Sequence, residues 1–354
     1  MRADCWSSWT TSGHRDCLIH ERTSARVATD SWRVRKVEAE ACEHASRTVN
    51  TDCDEIVFPH GGSLADAQNV GQNQEFGEVS DQSSIEWVDA TWNPTTGCTK
   101  ISPGCAHCYI EHTPPFRIQS RKFEHGHIPL RLHDDRLAQP LHWRKPRRIF
   151  VNSLSDLFHD DVPDQFLHQV YHTMEQARQH QFHVLTKRPR RMQAYLAWRY
   201  GGDRIPSRHI WHGVTVENRR WKCRIDECRE ARTARRFLSI EPLLEDVGEL
   251  DLRGIHWVIV GGESGPGARP CHIEWVRSVN EQCGAAGVPC FVKQLGTRPQ
   301  ACCPDHRCPH DLALRDRKGG DPAEWPEDLR NRREFPAIAS GAVVRLTSTP
   351  RRRS

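Results

Sequence analysis

Seven short runs of β-branched and aromatic residues, separated mostly by helical patterns, constrain the fold of this chain more than any other feature. Strands that alternate with helices through short loops predict a parallel sheet. Seven strands rather than eight predict an α/β fold built as a partial or irregular (β/α) barrel with parallel strands. The runs are Ile85–Ala90, Arg148–Leu154, Phe182–Thr186, Ile210–Val216, Arg236–Ile240, Ile255–Val260 and Val288–Lys293.

The N-terminal residues differ from the rest of the chain. Residues 1–80 show neither helical nor strand periodicity, and they carry 8 basic and 13 acidic side chains. We therefore expect a disordered extension over residues 1–80, a barrel domain over residues 83–336 and a basic C-terminal tail over residues 337–354. An alternative for the first part is that translation starts near Val79, so that the extension is spurious.

Composition narrows the class of protein. No window approaches the roughly 18 consecutive apolar residues of a membrane helix, so we expect no membrane partner and a cytoplasmic location. The chain has 354 residues and 15 cysteines. Disulfide frameworks belong to short secreted chains, so some of these thiols should instead be metal ligands or catalysts.

Polar side chains follow all but the first of the seven runs. The carboxyl ends of parallel strands share one edge of the sheet, where α/β folds bind their ligands. Gly261 and Gly262 would let backbone approach a ligand closely, and the carboxylate of Glu263 could accept from a ribose hydroxyl or an amino group, although a simple tight turn remains an alternative. The other polar residues at these ends include Asn152, Ser155, Lys187, Glu217, Glu241 and Lys293.

Three cysteines lie in one loop rich in glycine and proline. Cys98, Cys105 and Cys108 form a C-x6-C-x2-C pattern, and three thiolates can converge on one soft metal centre. An iron–sulfur cluster on three cysteines keeps one iron open for a substrate. A zinc ion bound by the three cysteines and His107 is an alternative. Simultaneous coordination by the adjacent residues His107 and Cys108 is sterically difficult. Buried inert thiols are the third interpretation.

A second group of potential ligands lies within residues 300–311, which we interpret as an insertion. The density of cysteine and histidine in this segment resembles that of a zinc knuckle. A surface loop in which these residues occur together by chance fits equally well. The potential zinc ligands are Cys302, Cys303, His306, Cys308 and His310.

Six segments together resemble a known family. They are Asp89–Lys100, Ser153–His159, Val184–Pro189, Gly213–Asn218, Val258–Pro270 and Asp316–Arg330. Across them the chain is similar to a phage-associated family of uncharacterised three-cysteine-motif proteins regarded as radical S-adenosylmethionine-like. The similarity extends over roughly residues 83 to 336.

The resemblance implies a cofactor set and a chemistry. Cys98, Cys105 and Cys108 would bind three irons of a [4Fe–4S] cluster, and the fourth iron would bind S-adenosylmethionine. One electron would then cleave this cofactor, and the resulting 5′-deoxyadenosyl radical would abstract hydrogen from an unknown substrate. An electron donor is therefore an expected partner, and a phage or mobile-element protein is another.

The same resemblance suggests roles for individual residues. Tyr109 would pack near the adenine. The residues expected to bind the remainder of S-adenosylmethionine are Asn152, Ser155, Glu217, Gly261, Gly262 and Glu263. The catalytic candidates, expected to face the substrate, are Lys187, Glu241 and Lys293.

Two functions other than catalysis stay open at the level of sequence. One is a zinc-stabilised binding protein of phage or mobile-element origin that contacts nucleic acid through its Arg-rich surface. The other is an inactive barrel that serves as a scaffold for a partner. The polar strand ends favour an enzyme over the scaffold.

Overall fold

A computed structural model of the chain describes residues 83–302, 309–336 and 343–345. The extension and most of the basic tail that the sequence predicts lie outside these residues. In chain order, the strands are β1 (Ala90–Trp92), β2 (Thr95–Thr99), β3 (His127–Leu132), β4 (Arg148–Val151), β5 (Gln181–Thr186), β6 (Ile210–Thr215), β7 (Arg235–Ile240), β8 (Trp257–Gly261), β9 (Cys271–His272), β10 (Cys290–Gln294), β11 (Pro299–Cys302), β12 (Pro309–Asp311), β13 (Glu334–Pro336) and β14 (Val343–Arg345).

Helices fill most of the connections between the strands. Helix α3 contains Phe166, Val170 and Met174, which the helical spacing of apolar residues predicted to share one face. Only residues 241–256, between β7 and β8, connect two neighbouring sheet strands without a helix. The α-helices are α1 (Pro114–Ile118), α2 (Gln139–His142), α3 (Asp164–Gln176), α4 (Pro189–Arg199), α5 (Cys223–Glu230) and α6 (Ile273–Ala286). Short 3-10 helices span Pro103–Cys105, Tyr109–His112, Asp134–Arg136, Arg219–Lys222, Pro322–Glu324 and Glu327–Leu329.

Seven strands form one parallel sheet in the order β1-β4-β5-β6-β7-β8-β10. Each neighbouring pair is parallel, so the seven carboxyl ends share one edge. The sheet forms an open half-barrel with helices outside it, and the predicted α/β partial barrel is confirmed. Smaller sheets pair β2 with β3, β9 with β11 and β12, and β13 with β14.

Both faces of the sheet are buried, which explains why its strands read as apolar runs rather than alternating patterns. The outer face packs against the helices through residues such as Val184 and Val258. The inner face holds an aromatic cluster that includes Phe150, Phe237 and Trp257. This cluster lies inside the half-barrel and also contains the fully buried imidazole of His183.

The first predicted strand was placed wrongly. β1 begins at Ala90, where the prediction placed the end of the strand Ile85–Ala90. Trp87 and Val88 are consecutive, yet both are buried in the inner aromatic cluster. Adjacent residues of a strand point to opposite faces, so this segment cannot continue the strand while both side chains pack inward.

Within the described residues, no helix is both long enough and apolar enough to cross a membrane.

Candidate functional site

The three cysteines of the C-x6-C-x2-C pattern lie beside the carboxyl edge of the sheet. Cys98 belongs to β2, Cys105 ends the 3-10 helix that starts at Pro103, and Cys108 immediately precedes the next 3-10 helix. All three side chains are partly buried. Strand β2 thus carries one thiol, while the connection between β2 and β3 carries the other two.

The thiols are close enough to interact electrostatically but too far apart to share one ion. A negative charge on Cys105 or Cys108 raises the pKa of Cys98. A tetrahedral zinc ion with Zn–S bonds of about 2.3 Å would bring its sulfur ligands to about 3.8 Å. Among the described residues, these cysteines are not in a group whose ligand atoms all lie within 4.8 Å of one another. In a multi-metal cluster, by contrast, each thiolate binds a different metal, so the sulfur atoms need not approach each other as closely.

The three thiols differ in acidity. Burial, together with the nearby Asp156 carboxylate, raises the pKa of Cys98 to about 12. Burial also raises the pKa of Cys108. Burial acts on Cys105 in the same direction, but the charge of Lys187, together with hydrogen bonds near Ser102, outweighs it and holds the pKa below its usual value. Cys105 is therefore the thiol best prepared to bind a metal as thiolate.

One carboxylate holds the loop just before Cys105. The backbone N–H of Gly104 donates to Glu217 Oε1 over 3.4 Å. Glu217 is fully buried, and its other oxygen pairs with Arg224 at 2.8 Å. A Cβ on Gly104 would lie only 3.2 Å from the Glu217 carboxyl carbon. Glu217 therefore packs directly against the loop and connects it to helix α5.

A second carboxylate holds the loop between Cys105 and Cys108. The Nδ1 of His107 lies 3.0 Å from Glu263 Oε2, which also accepts from the Nε of Arg269 at 2.8 Å. Burial raises the pKa of Glu263, but hydrogen bonds from Arg269 and His107 outweigh it and lower the pKa to about 2. Glu263 is thus ionised at neutral pH and orients the imidazole. Ligand binding by Glu217 and Glu263 stays a prediction.

A third carboxylate, Asp156, organises the end of β5. Its Oδ1 accepts from the hydroxyl of Thr186 at 2.7 Å, and its Oδ2 accepts from the backbone of Lys187 and from Arg188. Lys187 then directs its ammonium group to within 3.3 Å of the hydroxyl of Thr215. Asp156 thereby fixes the segment that presents positive charge to the cysteines.

Two predicted cofactor residues at the end of β4 take part in a polar network inside the protein. Asn152 is buried with φ near +59°, and its amide binds the backbone and the hydroxyl of Thr95. Ser155 accepts from the same hydroxyl at 2.9 Å. The structure thus brings both residues to the base of β2, where they hold the strand that carries Cys98.

The predicted glycines are needed for close packing of backbone. A Cβ on Gly262 would lie 2.3 Å from the carbonyl oxygen of Leu295, and one on Gly261 would lie 3.0 Å from the carbonyl oxygen of Gln294. Both glycines therefore allow β8 and the segment after β10 to approach each other.

The remaining predicted residues reach the same edge. Lys293 and Glu241 form an ion pair of 3.0 Å, with 22% and 14% of their side chains exposed. The hydroxyl of Tyr109 donates to the carbonyl of Ser153, and 51% of the tyrosine is exposed. Tyr109 thus presents an exposed aromatic ring, and Lys293 and Glu241 add a charged pair at the same edge of the sheet.

The candidate zinc ligands of the insertion are only partly covered by the structure. Cys303, His306 and Cys308 lie outside the described residues. Cys302 ends β11, and His310 lies on β12 opposite Ala301, the residue before Cys302. Zinc on this set stays a prediction.

Sequence reasoning missed four side chains that shape the site. Arg224 is buried within a helical pattern, and its spacing of seven residues from Glu217 was a weak signal at best. Asp156 follows a predicted strand and could have been selected as a charged strand end. Arg188 and Arg269 each follow residues that were identified, Lys187 and the glycine-rich turn.

The sequence of the chain is similar to a known family, and its structure is similar to known proteins. A family model described as "Protein of unknown function (DUF5131)" matches residues 82–330. No curated protein shows significant similarity to the chain. A mutant spore photoproduct lyase with bound AdoMet and dinucleoside spore photoproduct is similar in structure, with a TM-score of 0.32 and 13% identity over 49% of this chain and 56% of that one.

A second solved structure, spore photoproduct lyase complexed with dinucleoside spore photoproduct, aligns with a TM-score of 0.32 and 12% identity. That alignment covers 57% of this chain and 62% of the lyase. The chain thus spans less than two thirds of the length of these two proteins.

Proposed function

The chain belongs to the family described as Protein of unknown function (DUF5131), so its activity has to be inferred from its own site, and we propose that it is a radical S-adenosylmethionine enzyme. The arrangement of Cys98, Cys105 and Cys108 carries this proposal. These thiols lie beside one edge of a parallel sheet, interact electrostatically and are too widely spaced for a single ion.

The three thiols fit a [4Fe–4S] cluster in number and in chemical type. Cysteine thiolates are the usual ligands of such clusters, and three of them leave one iron open to S-adenosylmethionine. When bound, the cluster would supply one electron to S-adenosylmethionine. The carbon–sulfur bond of S-adenosylmethionine then breaks, which gives methionine and a 5′-deoxyadenosyl radical. An external one-electron donor is required for that step.

The protein's own residues prepare the loop for this role. Lys187 favours the thiolate form of Cys105, which is the form that binds metals. Glu217 and Glu263 hold the backbone and the imidazole on either side of Cys105. Because these contacts come from the ends of two different strands, the loop is positioned by the sheet rather than by its own flexible chain.

The same rim supplies groups for a substrate. Tyr109 exposes its ring. Burial is the larger cause that raises the pKa of its hydroxyl, and a negative charge on Glu241 contributes to the same shift. Glu241 in turn pairs with Lys293. The aromatic cluster inside the half-barrel is buried, and it would keep water from a reactive intermediate at the rim.

Anaerobic reconstitution tests the proposal. The full chain is purified without oxygen, supplied with iron and sulfide, and its iron, sulfide and zinc contents and visible spectrum are measured. We expect a brown protein that forms 5′-deoxyadenosine from S-adenosylmethionine only when a strong reductant is present.

Single variants provide the matched comparison. Cys98→Ala, Cys105→Ala and Cys108→Ala should each abolish the chromophore and the formation of 5′-deoxyadenosine, whereas Cys223→Ala, at an exposed cysteine of α5, should not. A colourless protein that holds one zinc ion on the loop cysteines would refute the proposal. It would support the zinc-stabilised binding protein instead.

A further inference from the structure

A second group of metal-type side chains lies on a different sheet from the cysteine loop. His272, Glu274 and Cys302 each offer one ligand atom, and these three atoms all lie within 4.8 Å of one another. In the part of the chain that the structure describes, no other such group of three occurs. Two of the three residues, His272 and Glu274, were not among the ligands that the sequence suggested.

The fold explains how these residues meet. β9 and β11 are parallel, and Gln300 pairs with His272. Cys302 lies two residues beyond Gln300, on the same face of β11, because side chains at alternate positions of a strand share a face. Glu274 lies in the first turn of α6, which begins directly after His272. Strand pairing and the helix start therefore place three donors at one point.

The carboxylate of Glu274 is incompletely satisfied. Its Oε1 accepts from the backbone N–H of Cys302 at 3.3 Å and lies 3.5 Å from Arg277. Its Oε2 is buried without a hydrogen-bond partner among the described residues. A buried carboxylate oxygen without a partner carries a free-energy cost, which a cation at this position would remove.

The donor chemistry selects the kind of cation. A thiolate, an imidazole and a carboxylate together match the ligands of zinc, whereas calcium and magnesium prefer oxygen alone. We propose that His272, Glu274 and Cys302 form a zinc site. Three protein ligands leave one coordination position for water. The site does not depend on the cysteine loop or on its proposed chemistry.

A metal here would have a structural effect. The three ligands join the end of β9, the first turn of α6 and the end of β11. A metal that binds only the folded chain raises the free energy of unfolding. The increase grows with the logarithm of the metal concentration divided by the dissociation constant. Zinc would therefore anchor β11 at the residue where the chain leaves the sheet toward β12.

Cobalt is the probe that tests the site, because a thiolate bound to Co²⁺ gives an intense charge-transfer absorption. The full chain carries Cys98→Ala, Cys105→Ala and Cys108→Ala, so that the loop contributes no thiol. This parent protein is titrated with Co²⁺ and then with Zn²⁺. We expect one equivalent of Co²⁺ with a thiolate charge-transfer band, which Zn²⁺ displaces.

Three ligand variants and one control are compared in that parent. Cys302→Ser should remove the charge-transfer band. His272→Ala and the nearly isosteric Glu274→Gln should each weaken binding at least about 10-fold. Cys223→Ser, at an exposed cysteine of α5, should leave binding unchanged.

Circular dichroism of each variant separates loss of metal from loss of fold. A folded parent that binds no cobalt would overturn the proposal. So would binding that Cys302→Ser removes while folded His272→Ala and Glu274→Gln leave it unchanged, because the metal would then rest on other residues of the insertion.

Discussion

The cysteine loop and the His272–Glu274–Cys302 group both present metal-type donors, yet the two are built in opposite ways. The loop holds three donors of one kind, which come from neighbouring positions in the sequence but stand apart in space. The second group holds three different donors gathered within 4.8 Å, and one of them, Cys302, lies 28 residues beyond Glu274 in the chain. Proximity in sequence therefore does not by itself measure proximity of ligand atoms.

The contrast extends to what holds each group in place. The loop is positioned by buried or nearly buried carboxylates at strand ends, among them Glu217 and Glu263. The second group is held by strand pairing, while the ion pair of Glu274 with Arg277 is about one third exposed. Burial makes the first set of contacts energetically important, and exposure makes the second set weak.

The largest expected effect is a separation of metal binding between the two regions. Cys105→Ala should abolish the iron–sulfur chromophore but leave cobalt binding at Cys302 intact, since the two sets share no ligand. Cys302→Ser should do the reverse. Metal analysis and visible spectra of the two variants provide the measurement. Loss of both metals in either folded variant would mean that the two regions form one site.

The next effect concerns the ion pairs of the two regions. Arg224→Ala leaves the fully buried carboxylate of Glu217 without its partner, and we expect a loss of about 3–5 kcal/mol in the free energy of unfolding. Arg277→Ala removes exposed ion pairs with Glu274 and Asp328 and should cost only about 0–1 kcal/mol. Urea denaturation measures both. Equal losses would contradict the distinction drawn from burial.

The smallest effect is a change in thiol acidity within the loop. Lys187→Met removes the charge that holds down the pKa of Cys105. This pKa should rise, so the thiolate fraction and the rate of alkylation by iodoacetamide at neutral pH should both fall in the metal-free protein. Mass spectrometry of the Cys105 peptide across a pH series gives the profile.

Lys222→Met is the matched control for that measurement, because the Lys222 ammonium donates to the carbonyl of Glu249 and is not among the main groups that shift the pKa of Cys105. A profile that shifts equally in both variants would rule out a specific effect of Lys187. An unchanged profile in Lys187→Met would rule out the electrostatic contact itself.

Much of the fold was predictable because its signals are local. Six of the seven main strands coincide with predicted apolar runs, since strands buried on both faces need continuous hydrophobic sequence. The first does not, because Trp87 and Val88 pack together in the inner cluster. The sequence does not show that these two consecutive side chains both pack into the same cluster, so the tertiary structure was needed to place them outside the strand.

The site was predictable in location but not in its contacts. Parallel strands share one carboxyl edge, so charged strand ends such as Lys187 and Glu263 indicated the rim correctly. Their partners could not be found in this way. Arg224 pairs with Glu217, and Arg269 with Glu263, because helix and turn geometry bring them together after folding.

The sequence by itself determined the α/β class, the number of main strands, the edge at which polar groups gather and the three thiols of the loop. Each of these follows from short-range periodicity or spacing. The tertiary structure alone decided that the loop thiols stand too far apart for one ion, that Glu217 and Glu263 hold the loop, and that Cys302 meets His272 and Glu274. These distances depend on the packing of segments far apart in the chain, and no local pattern encodes them.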